Sequence, residues 1–365
     1  MRVGWLSLVD FRSYEKLEWS PDPGVNLLIG RNGAGKTNVL EAVSYLATLK
    51  SFRSVPDQAL IKEGAPAAVV RSGLVSEERE RLVEIEVPRQ GSRRTQVDKS
   101  RLKRTSDLLG VVRVIAFLPE DLDLVKRGPS YRRNLLDEIA VQLWPAAHLD
   151  QSEFDRSLRQ RNAFLKAGDR DDVTLSVWDA RLAQSAGRVL ARRARVVETL
   201  TPLLDLAYNE IAEETSRATF TYSPSWDTGE LTNASAAEYA DLVAAALERS
   251  RRSDYERRMT MVGPHRDDPG FSIEGHDART HGSQGEQRTI ALAVKLAAHR
   301  AVAEAVGEPP VLLLDDVFSE LDSRRAAALA NALPESQTLI TSARPEDVPI
   351  SGSKWSVKEG NVIES

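Results

Sequence analysis

The hydrophobic pattern at the start of the chain predicts two strands followed by a helix. Residues 3–11 combine alternating apolar positions with aromatic ones, and residues 24–29 form a short apolar run that stops at Gly30. Between Lys36 and Leu49, apolar side chains recur three or four residues apart, which is the spacing of one helix face. We therefore expect a strand, a tight turn at Gly30 and a helix, in that order.

Further apolar runs predict strands on both sides of the middle of the chain. Strand-like pieces lie within residues 67–88, and the run GVVRVIAFL at 110–118 has the pattern of a buried strand. From Thr289 the chain alternates between a helix, a strand at 311–314, a second helix and a strand at 338–341. Strands that alternate with helices in this way indicate an α/β fold with a parallel sheet.

The middle of the chain has a different pattern. Residues 130–166 and 175–214 are rich in charge and arginine, and their apolar positions follow helical spacing. Pro145 and Pro202 are expected to break or kink these helices, because proline removes a helical hydrogen bond. We therefore expect an α/β lobe split by a largely helical second lobe, and we divide the chain into residues 1–118, 119–288 and 289–365.

The bulk composition is that of a globular protein without strong positive charge. The 365 residues carry a formal net charge of −5, which gives no sign of a general nucleic-acid binder, although local basic clusters could still serve that role. The chain has no cysteine, which excludes disulfides and thiolate metal sites. The first residues lack the apolar core of a signal peptide, and no apolar run approaches membrane-spanning length. We expect a cytoplasmic protein.

The stretch GRNGAGKT, residues 30–37, carries the most specific chemical pattern. It matches G-x-x-x-x-G-K-[ST] between an apolar strand and a helix, which is the context that a phosphate loop requires. Glycines let backbone N–H groups turn toward an anion, and the helix N-terminus adds partial positive charge. Lys36 would reach the β- and γ-phosphates of ATP, and the Thr37 hydroxyl would ligate Mg²⁺. The candidate nucleotide-binding residues here are Gly30, Arg31, Asn32, Gly33, Ala34, Gly35, Lys36, Thr37 and Asn38.

The stretch VLLLDD, residues 311–316, supplies acidic partners for that loop. An apolar strand that ends in two carboxylates is typical of a Walker B strand, although a strand ending in a solvated acidic turn has the same pattern. Asp315 would hold the Mg²⁺ shell, and Asp316 would orient or deprotonate the attacking water. Asp316 and Lys36 are therefore the first two catalytic candidates.

The stretch SQGEQ, residues 283–287, has two interpretations. Ser283 with Glu286 three residues later matches a capping box ahead of an apolar helical run. The same helix start resembles the signature of ABC-type ATPases, which acts on the nucleotide of a second copy, and a capped helix N-terminus is an anion site. On that interpretation Ser283, Gly285 and Gln287 would bind ATP held by another copy, and ATP would join two copies head to tail.

Further candidates lie next to these motifs. Asp322 in SELD occupies the D-loop position after the Walker B strand, near the seam of such a dimer. Glu120 in PEDLDL follows a buried strand, as a Q-loop does, and is the third catalytic candidate. The last strand, QTLITSA, ends without the switch histidine of transporter ATPases, and Thr341 and Ser342 are its polar candidates. By analogy with the class, Arg12 in FRSY is a candidate for approaching the nucleotide.

A basic cluster between residues 89 and 104 is the candidate DNA-binding surface. Lysine and arginine side chains can contact phosphates without reading bases. A solvated basic face is the alternative interpretation for each of them. The candidates are Arg93, Arg94, Arg101, Lys103 and Arg104, and the helical lobe adds Arg156, Arg159, Arg161 and Lys166.

With these motifs assembled, the chain resembles the RecF family, the bacterial recombination and gap-repair ATPases of the SMC/Rad50-like ABC class. The resemblance runs nearly from end to end and rests on the stretches LVDFRSYEKLE, GRNGAGKTNVLEA, FLPEDLDLVKRGPSYRRNLLD, MVGPHRDD, GSQGEQRTIALAVKLA and LLLDDVFSELD. It implies an ATP-dependent homodimer on duplex DNA near single-strand/double-strand junctions, reset by slow, DNA-stimulated ATP hydrolysis. It also implies a nucleoid-associated role in gap repair and replication-fork maintenance, in which the partners RecO and RecR help to load RecA.

Three other interpretations share the Walker motifs. An ATPase subunit of a membrane transporter would normally carry a fuller LSGGQ and the switch histidine. A long-armed SMC or Rad50 head would need hundreds of residues of heptads between the motifs. A scaffold that uses ATP only to join subunits would not need the intact Asp315–Asp316 pair.

Overall fold

The computed structural model describes all residues except 77–78, 169–170, 213–214, 223, 225, 227–233 and 359. The chain divides into two units, of which unit 1 comprises residues 1–122, 206–215 and 291–365 and unit 2 comprises residues 123–205 and 216–290. Residues 206–215 thus belong to unit 1, whereas the sequence-based division places them in the helical lobe. The unit limits at 122 and 290 lie close to the sequence-based limits at 118 and 288.

The secondary structure alternates between strands and helices at both ends of the chain. Before the middle segment the elements are β1 (Arg2–Phe11), β2 (Tyr14–Trp19), β3 (Val25–Ile29), α1 (Lys36–Thr48), β4 (Ala67–Val75), β5 (Glu80–Pro88), β6 (Arg94–Val97), β7 (Ser100–Arg101) and β8 (Val114–Phe117). The middle segment contains α2 (Pro129–Leu143), α3 (Ala147–Ala167), α4 (Asp172–Ala212), β9 (Ala218–Thr221), α5 (Ala236–Arg257), β10 (Gly270–Ile273), β11 (His276–Asp277) and α6 (Gln284–Val306). The last elements are β12 (Val311–Asp315), α7 (Ser323–Ala332), β13 (Thr338–Ser342), β14 (Ser353–Lys358) and β15 (Asn361–Glu364).

A mostly parallel sheet in unit 1 positions the two Walker motifs. Its strand order is β15-β14-β3-β13-β12-β8, and β8, β12, β13, β3 and β14 pair in parallel. Every residue of β12 and β13 is buried, as expected for strands covered on both faces. The carboxyl ends of β3 and β12 lie on either side of β13, so the phosphate loop and the acidic pair meet at one sheet edge. The predicted parallel sheet is confirmed.

An antiparallel sheet in unit 1 has the strand order β2-β1-β4-β5-β6-β7. In β5, Val83, Ile85 and Val87 are buried and alternate with more accessible glutamates, which is the pattern of a sheet with one covered face. β2, with the sequence YEKLEW, was not predicted because it is short and mostly polar. It forms because β1 supplies a hydrogen-bonding edge through a tight turn.

The helices of unit 2 follow the predicted periodicity, with one correction. The chain leaves the helical conformation between α2 and α3, around Pro145, as predicted. We predicted a break or a kink at Pro202; the break is wrong, because α4 continues through the proline, and the kink stays a prediction. Leu200 and Leu204, on either side of the proline, are fully buried, and the Thr201 hydroxyl donates to the Val197 carbonyl at 2.7 Å. Burial of this apolar face outweighs the loss of one backbone hydrogen bond.

Unit 2 also contains elements that the hydrophobic pattern did not predict. α5 begins with a capping box in which Ser235 and Glu238 exchange hydrogen bonds. The S-x-x-E pattern at residues 235–238 was the available sign of this helix start. A small antiparallel sheet with the order β11-β10-β9 precedes α6.

Candidate functional site

The turn between β3 and α1 holds the phosphate-loop candidates, and its backbone path depends on glycine. Gly33 and Gly35 have φ values of 81° and 106°, which residues with a Cβ rarely adopt. A Cβ at Gly30 would lie 2.5 Å from the Val357 carbonyl oxygen, and one at Gly35 would lie 2.8 Å from the Tyr14 hydroxyl. Larger residues at these positions would therefore displace the loop or its neighbours.

Lys36 begins α1 and its side chain folds back over the loop. Its Nζ donates to the carbonyl oxygens of Gly30 at 2.6 Å and Arg31 at 3.1 Å. Burial lowers the pKa of Lys36 from its ordinary value, and the carboxylates of Asp316 and Asp315 act in the opposite direction. The loop therefore presents a partly desolvated cation next to two acidic groups.

The other loop residues divide into an accessible tip and a helix start. Arg31 and Asn32 are exposed, and Ala34 is half-buried. Asn38 lies in the first turn of α1, and its Nδ2 donates to the Ser13 hydroxyl at 2.8 Å. The tip is thus open to a ligand, whereas Asn38 ties the helix to the turn between β1 and β2.

Asp315 at the end of β12 contacts the phosphate-loop helix directly. The Thr37 hydroxyl donates to Asp315 Oδ1 at 2.9 Å, although 278 positions separate the two residues. The Thr341 hydroxyl donates to the same oxygen at 2.7 Å. Burial raises the pKa of Asp315, and these two hydrogen bonds oppose that effect. Hydroxyl and carboxylate oxygens are the ligands that Mg²⁺ prefers, so Thr37 and Asp315 suit a magnesium site.

Asp316 follows in a left-handed backbone conformation with φ of 50°. Its N–H donates to the carbonyl oxygen of Thr341 at 3.2 Å and to the hydroxyl oxygen of the same residue at 2.9 Å. Its Oδ1 atom is buried and has no hydrogen-bond partner within the described part of the chain. Leaving a buried acceptor unpaired costs about 1–3 kcal/mol, so this oxygen is suited to accept a hydrogen bond from a ligand or a water molecule.

Arg12 lies beside this region and is already paired with an acidic residue of α1. Its Nε and Nη2 donate to the two carboxylate oxygens of Glu41 at 2.8 and 2.6 Å. Glu41 is fully buried and also accepts from Ser51, and it lies 3.8 Å from the Arg53 guanidinium. The apolar pattern of α1 did not predict this cluster, because Glu41 lies outside the positions that follow helical spacing. The positive charge of Arg53 also acts to lower the pKa of Asp315.

Glu120 lies in the short 3-10 turn at residues 119–123 and is exposed. Its neighbour Asp121 accepts from the Leu118 N–H at 2.9 Å and pairs with Lys295 Nζ at 3.0 Å. The turn is therefore fixed through Asp121, and the catalytic role of Glu120 stays a prediction.

Helix α6 begins next to Ser283, which is exposed. The Ser283 N–H donates to Glu286 Oε2 at 2.7 Å, and the Glu286 N–H donates to Ser283 Oγ at 3.2 Å, so the capping box is confirmed. Gln287 is buried, and its Nε2 donates to the carbonyls of Ala278 at 3.0 Å and Gly282 at 2.9 Å. These bonds tie the preceding loop to the first turn of α6.

The other signature and D-loop candidates also lie at helix starts. Gly285 is half-buried in the first turn of α6. Asp322 caps α7 by accepting from the Arg325 N–H at 2.9 Å, and this bond holds the pKa of Asp322 below its ordinary value. Nucleotide binding in a second copy by these residues, by Ser283 and by Gln287 stays a prediction.

The basic cluster of unit 1 contains one half-buried and several exposed side chains. Arg93 Nη1 donates to the Tyr45 hydroxyl at 2.9 Å and the Leu49 carbonyl at 2.5 Å, and its Nε pairs with Asp57 at 3.2 Å. Arg93 therefore supports the fold of unit 1. The exposed members are Arg94, which pairs with Glu86 at 3.3 Å, and Arg101, Lys103 and Arg104.

Arg161 does not belong to a surface cluster, and the sequence-based suggestion that it does is wrong. It is fully buried, and its guanidinium pairs with Asp179 at 2.7 Å and with Asp254 at 2.8 Å. It also donates to the Thr260 hydroxyl at 2.9 Å. Leu165, one helical turn later, lies on the same buried face of α3, and this spacing was the available sign.

Two segments that carry the family resemblance contact each other inside unit 2. Arg132 in RGPSYRR donates to Asp268 Oδ1 in MVGPHRDD at 2.6 Å, and Arg133 donates to the Asp267 carbonyl at the same distance. Arg132 is nearly fully buried. These hydrogen bonds therefore join the two segments within unit 2.

The chain is similar over nearly its whole length to proteins of one family. The family model described as RecF/RecN/SMC N terminal domain matches residues 3–358. A protein of Streptomyces avermitilis named DNA replication and repair protein RecF is 41% identical over 374 residues, covering 99% of each chain. A solved structure described as the recombination mediator protein RecF-ATPrS in the RecFOR pathway has a TM-score of 0.92 at 30% identity, covering 100% of this chain and 98% of that one.

A more distant similarity concerns the fold alone. An SMC head bound to the C-winged helix domain of ScpA has a TM-score of 0.59 at 15% identity, covering 100% of this chain and 97% of that one. The predicted fold class, an ABC-type P-loop α/β lobe with a largely helical second lobe, is confirmed. Across the described ranges, none of the helices has the length and apolar character needed to cross a membrane.

Proposed function

The chain belongs to the RecF family of DNA replication and repair proteins, and from this premise we propose that it is an ATP-dependent DNA-binding protein of recombinational gap repair and replication-fork maintenance. The phosphate loop of one copy binds ATP, and the signature helix of a second copy completes the binding site. The resulting homodimer binds DNA near junctions of single-stranded and double-stranded DNA. Hydrolysis of ATP to ADP and phosphate then resets the dimer.

The phosphate loop and the acidic pair have the donor set that ATP and Mg²⁺ require. Lys36 Nζ donates to carbonyl oxygens of the loop, and phosphate oxygens would take the place of these acceptors when ATP binds. The loop glycines allow backbone N–H groups to point toward the phosphates. Thr37 and Asp315 would hold Mg²⁺, which neutralises charge on the β- and γ-phosphates when bound. Asp316 orients the attacking water and accepts its proton through a buried oxygen that has no partner in the described chain.

The signature interpretation is supported by the start of α6. Ser283 is exposed at the N-terminus of a long helix, where unpaired N–H groups and the helix dipole favour an anion. The capping box uses the Ser283 hydroxyl only as an acceptor, so its proton remains available to a γ-phosphate. We therefore propose that Ser283 binds the nucleotide of the second copy. From the same signature pattern we assign Gly285 and Gln287 to this nucleotide and Asp322 to the dimer seam.

DNA binding is assigned to exposed cations of unit 1. Arg101, Lys103 and Arg104 are exposed on β7 and the turn after it, and Arg94 lies on the neighbouring strand. Such cations neutralise DNA phosphates irrespective of sequence. Arg93 is excluded from the contact set because its guanidinium is held by unit 1 itself.

The remaining parts of the proposal follow from the family. RecO and RecR are the expected partners, and loading of RecA onto gaps is the expected outcome. The similarity to a solved structure described as a recombination mediator in the RecFOR pathway supports this assignment. We place the protein in the cytoplasm, associated with the nucleoid, where DNA stimulates a slow ATPase activity.

The contact between Thr37 and Asp315 carries the proposal, because it assembles both Walker motifs into one site. The experiment is light scattering of the purified protein without nucleotide, with ADP and with the analogue adenylyl imidodiphosphate. We expect the mass to double only with the analogue, and we expect Ser283→Arg to abolish this doubling.

Ser235→Arg is the matched control. Ser235 caps α5 with the same pair of hydrogen bonds, so each substitution removes an equivalent cap worth about 1 kcal/mol. Only Ser283→Arg should prevent dimerisation. If the analogue binds without a change of mass, or if both variants behave alike, SQGEQ is only a helix cap and the clamp proposal fails.

A further inference from the structure

We propose that Thr341 is a positioning residue for ATP hydrolysis, because its hydroxyl fixes the orientation of both Asp315 and Asp316. This inference rests on the proposed ATPase function and extends it to a residue outside the Walker motifs. It assigns a specific task to the strand end that lacks the switch histidine of transporter ATPases.

The sheet brings Thr341 between the two Walker motifs. Thr341 lies on β13, which pairs with β12 on one side and β3 on the other. In the register of these strands, Thr341 is opposite Asp315 on β12 and Leu28 on β3. Its side chain is fully buried. A hydroxyl at this position therefore has no access to solvent and must hydrogen-bond to groups at the carboxyl ends of these strands.

The hydrogen bonds of Thr341 have a definite direction. Its Oγ1 accepts from the Asp316 N–H at 2.9 Å, since a backbone amide can only donate. Its single proton is therefore available for Asp315 Oδ1, which lies 2.7 Å away. One hydroxyl thus joins the backbone of one acidic residue to the carboxylate of the other.

Thr341 donates a hydrogen bond to Asp315, which is one of the two proposed magnesium ligands. Asp315 Oδ1 accepts from Thr37 at 2.9 Å as well as from Thr341 at 2.7 Å. Thr37 is the other proposed magnesium ligand, so its hydroxyl oxygen would also have to coordinate the ion when nucleotide is bound. Thr341 is the donor that orients the Asp315 carboxylate independently of that task.

For Asp316, Thr341 stabilises a strained backbone. A non-glycine residue with φ of 50° persists only where its surroundings hold it. The Asp316 N–H is held by both the carbonyl and the hydroxyl of Thr341. This turn directs the Asp316 side chain, whose buried Oδ1 has no partner in the described chain. Without the hydroxyl, the amide keeps only the longer hydrogen bond to the carbonyl.

The composition of the strand supports a specific need for the hydroxyl. A fully buried parallel strand is normally built from Val, Ile and Leu, and burying a hydroxyl is unfavourable unless it is hydrogen-bonded. Valine has nearly the shape of threonine, so packing alone would be satisfied without the oxygen. The hydroxyl at position 341 is therefore explained by its two acidic neighbours.

The test compares Thr341→Val, Thr341→Ser and Thr338→Val. Thr338 lies on the same strand, is equally buried, and donates to the Ser336 carbonyl at 3.3 Å, away from the acidic pair. The first readout is kcat and KM for ATP. The second is binding of adenylyl imidodiphosphate as Mg²⁺ is titrated, which does not depend on turnover.

We expect Thr341→Val to lower kcat and to raise the Mg²⁺ concentration needed for analogue binding, each by about tenfold to a hundredfold, as when a support of a metal ligand is removed. KM and analogue binding without Mg²⁺ should stay at the wild-type level. Thr341→Ser should restore both quantities, and Thr338→Val should match the wild type.

Two results would overturn the inference. One is a wild-type kcat and Mg²⁺ requirement in Thr341→Val. The other is an equal loss in Thr341→Val and Thr338→Val, which would show that only packing of the strand matters. If the wild-type protein does not hydrolyse ATP, the proposed function fails instead, and the magnesium titration still decides the role of Thr341.

Discussion

Buried charged residues in this protein differ in whether their polar atoms already have partners. Glu41 is fully buried and is held by Arg12, Ser51 and Arg53, so its hydrogen-bonding capacity serves the fold. Asp316 has a buried oxygen without a partner in the described chain, next to a phosphate loop. An unsatisfied acidic group in such a place supports the proposed action of Asp316 on a ligand.

The first prediction at the residue scale concerns Asp316→Asn. An amide cannot accept a proton from water, so we expect kcat for ATP hydrolysis to fall by about 10²- to 10⁴-fold. The analogue-induced dimer should still form, because the shape of the site is kept. Single-turnover kinetics and light scattering measure the two effects. Wild-type turnover in this variant would remove Asp316 from the catalytic role.

The second prediction separates two arginines of α3. Arg161→Ala leaves the buried carboxylate of Asp254 without its cation and leaves Asp179 with Arg251 alone, and we expect it to lower the free energy of unfolding by about 3–5 kcal/mol. Arg159→Ala removes an exposed side chain and should change it by no more than about 0.5 kcal/mol. Urea denaturation followed by circular dichroism measures both. Equal effects would contradict the structural role of Arg161.

At the scale of elements, strand position decides which cations of the basic cluster can meet DNA. The segment from β6 through β7 to the following turn ends the antiparallel sheet, so its outer side chains have no neighbouring strand beyond them in the part of the chain that the structure describes. Arg93 precedes β6 and turns inward to Tyr45 and Leu49. Arg101, Lys103 and Arg104 remain at the surface.

The corresponding prediction uses the salt dependence of DNA binding. Replacing Arg101, Lys103 and Arg104 with glutamine should weaken binding to duplexes of any sequence. The slope of log K against log salt should become shallower by about 0.9 for each DNA phosphate that the variant no longer neutralises. Fluorescence anisotropy of a labelled duplex at several salt concentrations measures this.

Arg93→Gln is the control within the same cluster. It should lower thermal stability, because it removes an internal donor, and it should leave the salt slope unchanged. An unchanged slope in the triple variant would place the DNA-binding surface elsewhere in the protein.

At the scale of the whole molecule, both units contain a histidine that burial keeps neutral. Burial lowers the pKa of His299 in unit 1 and of His265 in unit 2 from 6.5 to about 4. His299 Nε2 lies 3.0 Å from the Pro310 carbonyl oxygen, and His265 Nε2 lies 3.2 Å from that of Thr260. Acidification should therefore lower the stability of both units, because protonation of either histidine is disfavoured by burial.

The prediction follows from the order of the two pKa values. As pH falls, the unfolded chain takes up protons near pH 6.5 and the folded chain only near pH 4, so the unfolded state binds more protons in this window. Stability should therefore fall from about pH 6.5 toward pH 4, by up to about 1.4 kcal/mol per pH unit for each histidine.

Denaturation at a series of pH values measures this dependence, and His299→Gln tests its origin. Glutamine keeps a donor for the Pro310 carbonyl but cannot take up the proton, so the loss of stability on acidification should be smaller. His276→Gln, at an exposed position on β11, is the control and should leave the dependence unchanged. An identical acid response in His299→Gln and the wild type would contradict the prediction.

Local sequence patterns were sufficient for the phosphate loop, the Walker B strand, the capping box at Ser283 and the parallel α/β alternation. Each of these depends on residues that are near each other in the chain, such as the glycines of the loop or the spacing of Ser283 and Glu286. The physics of turns, caps and periodic burial acts at that range, so the sequence alone determines them.

Only the tertiary structure decided the hydrogen-bond partners of Thr341, Arg161 and Arg93, the continuity of α4 through Pro202, and the existence of β2. Thr341 meets Asp315 and Asp316 because β13 pairs with β12, and Arg161 is internal because Asp179 and Asp254 come from other helices. The free energy of a buried polar group is set by partners that are distant in the chain. A local sequence pattern does not identify those partners, because they become neighbours only when the chain folds.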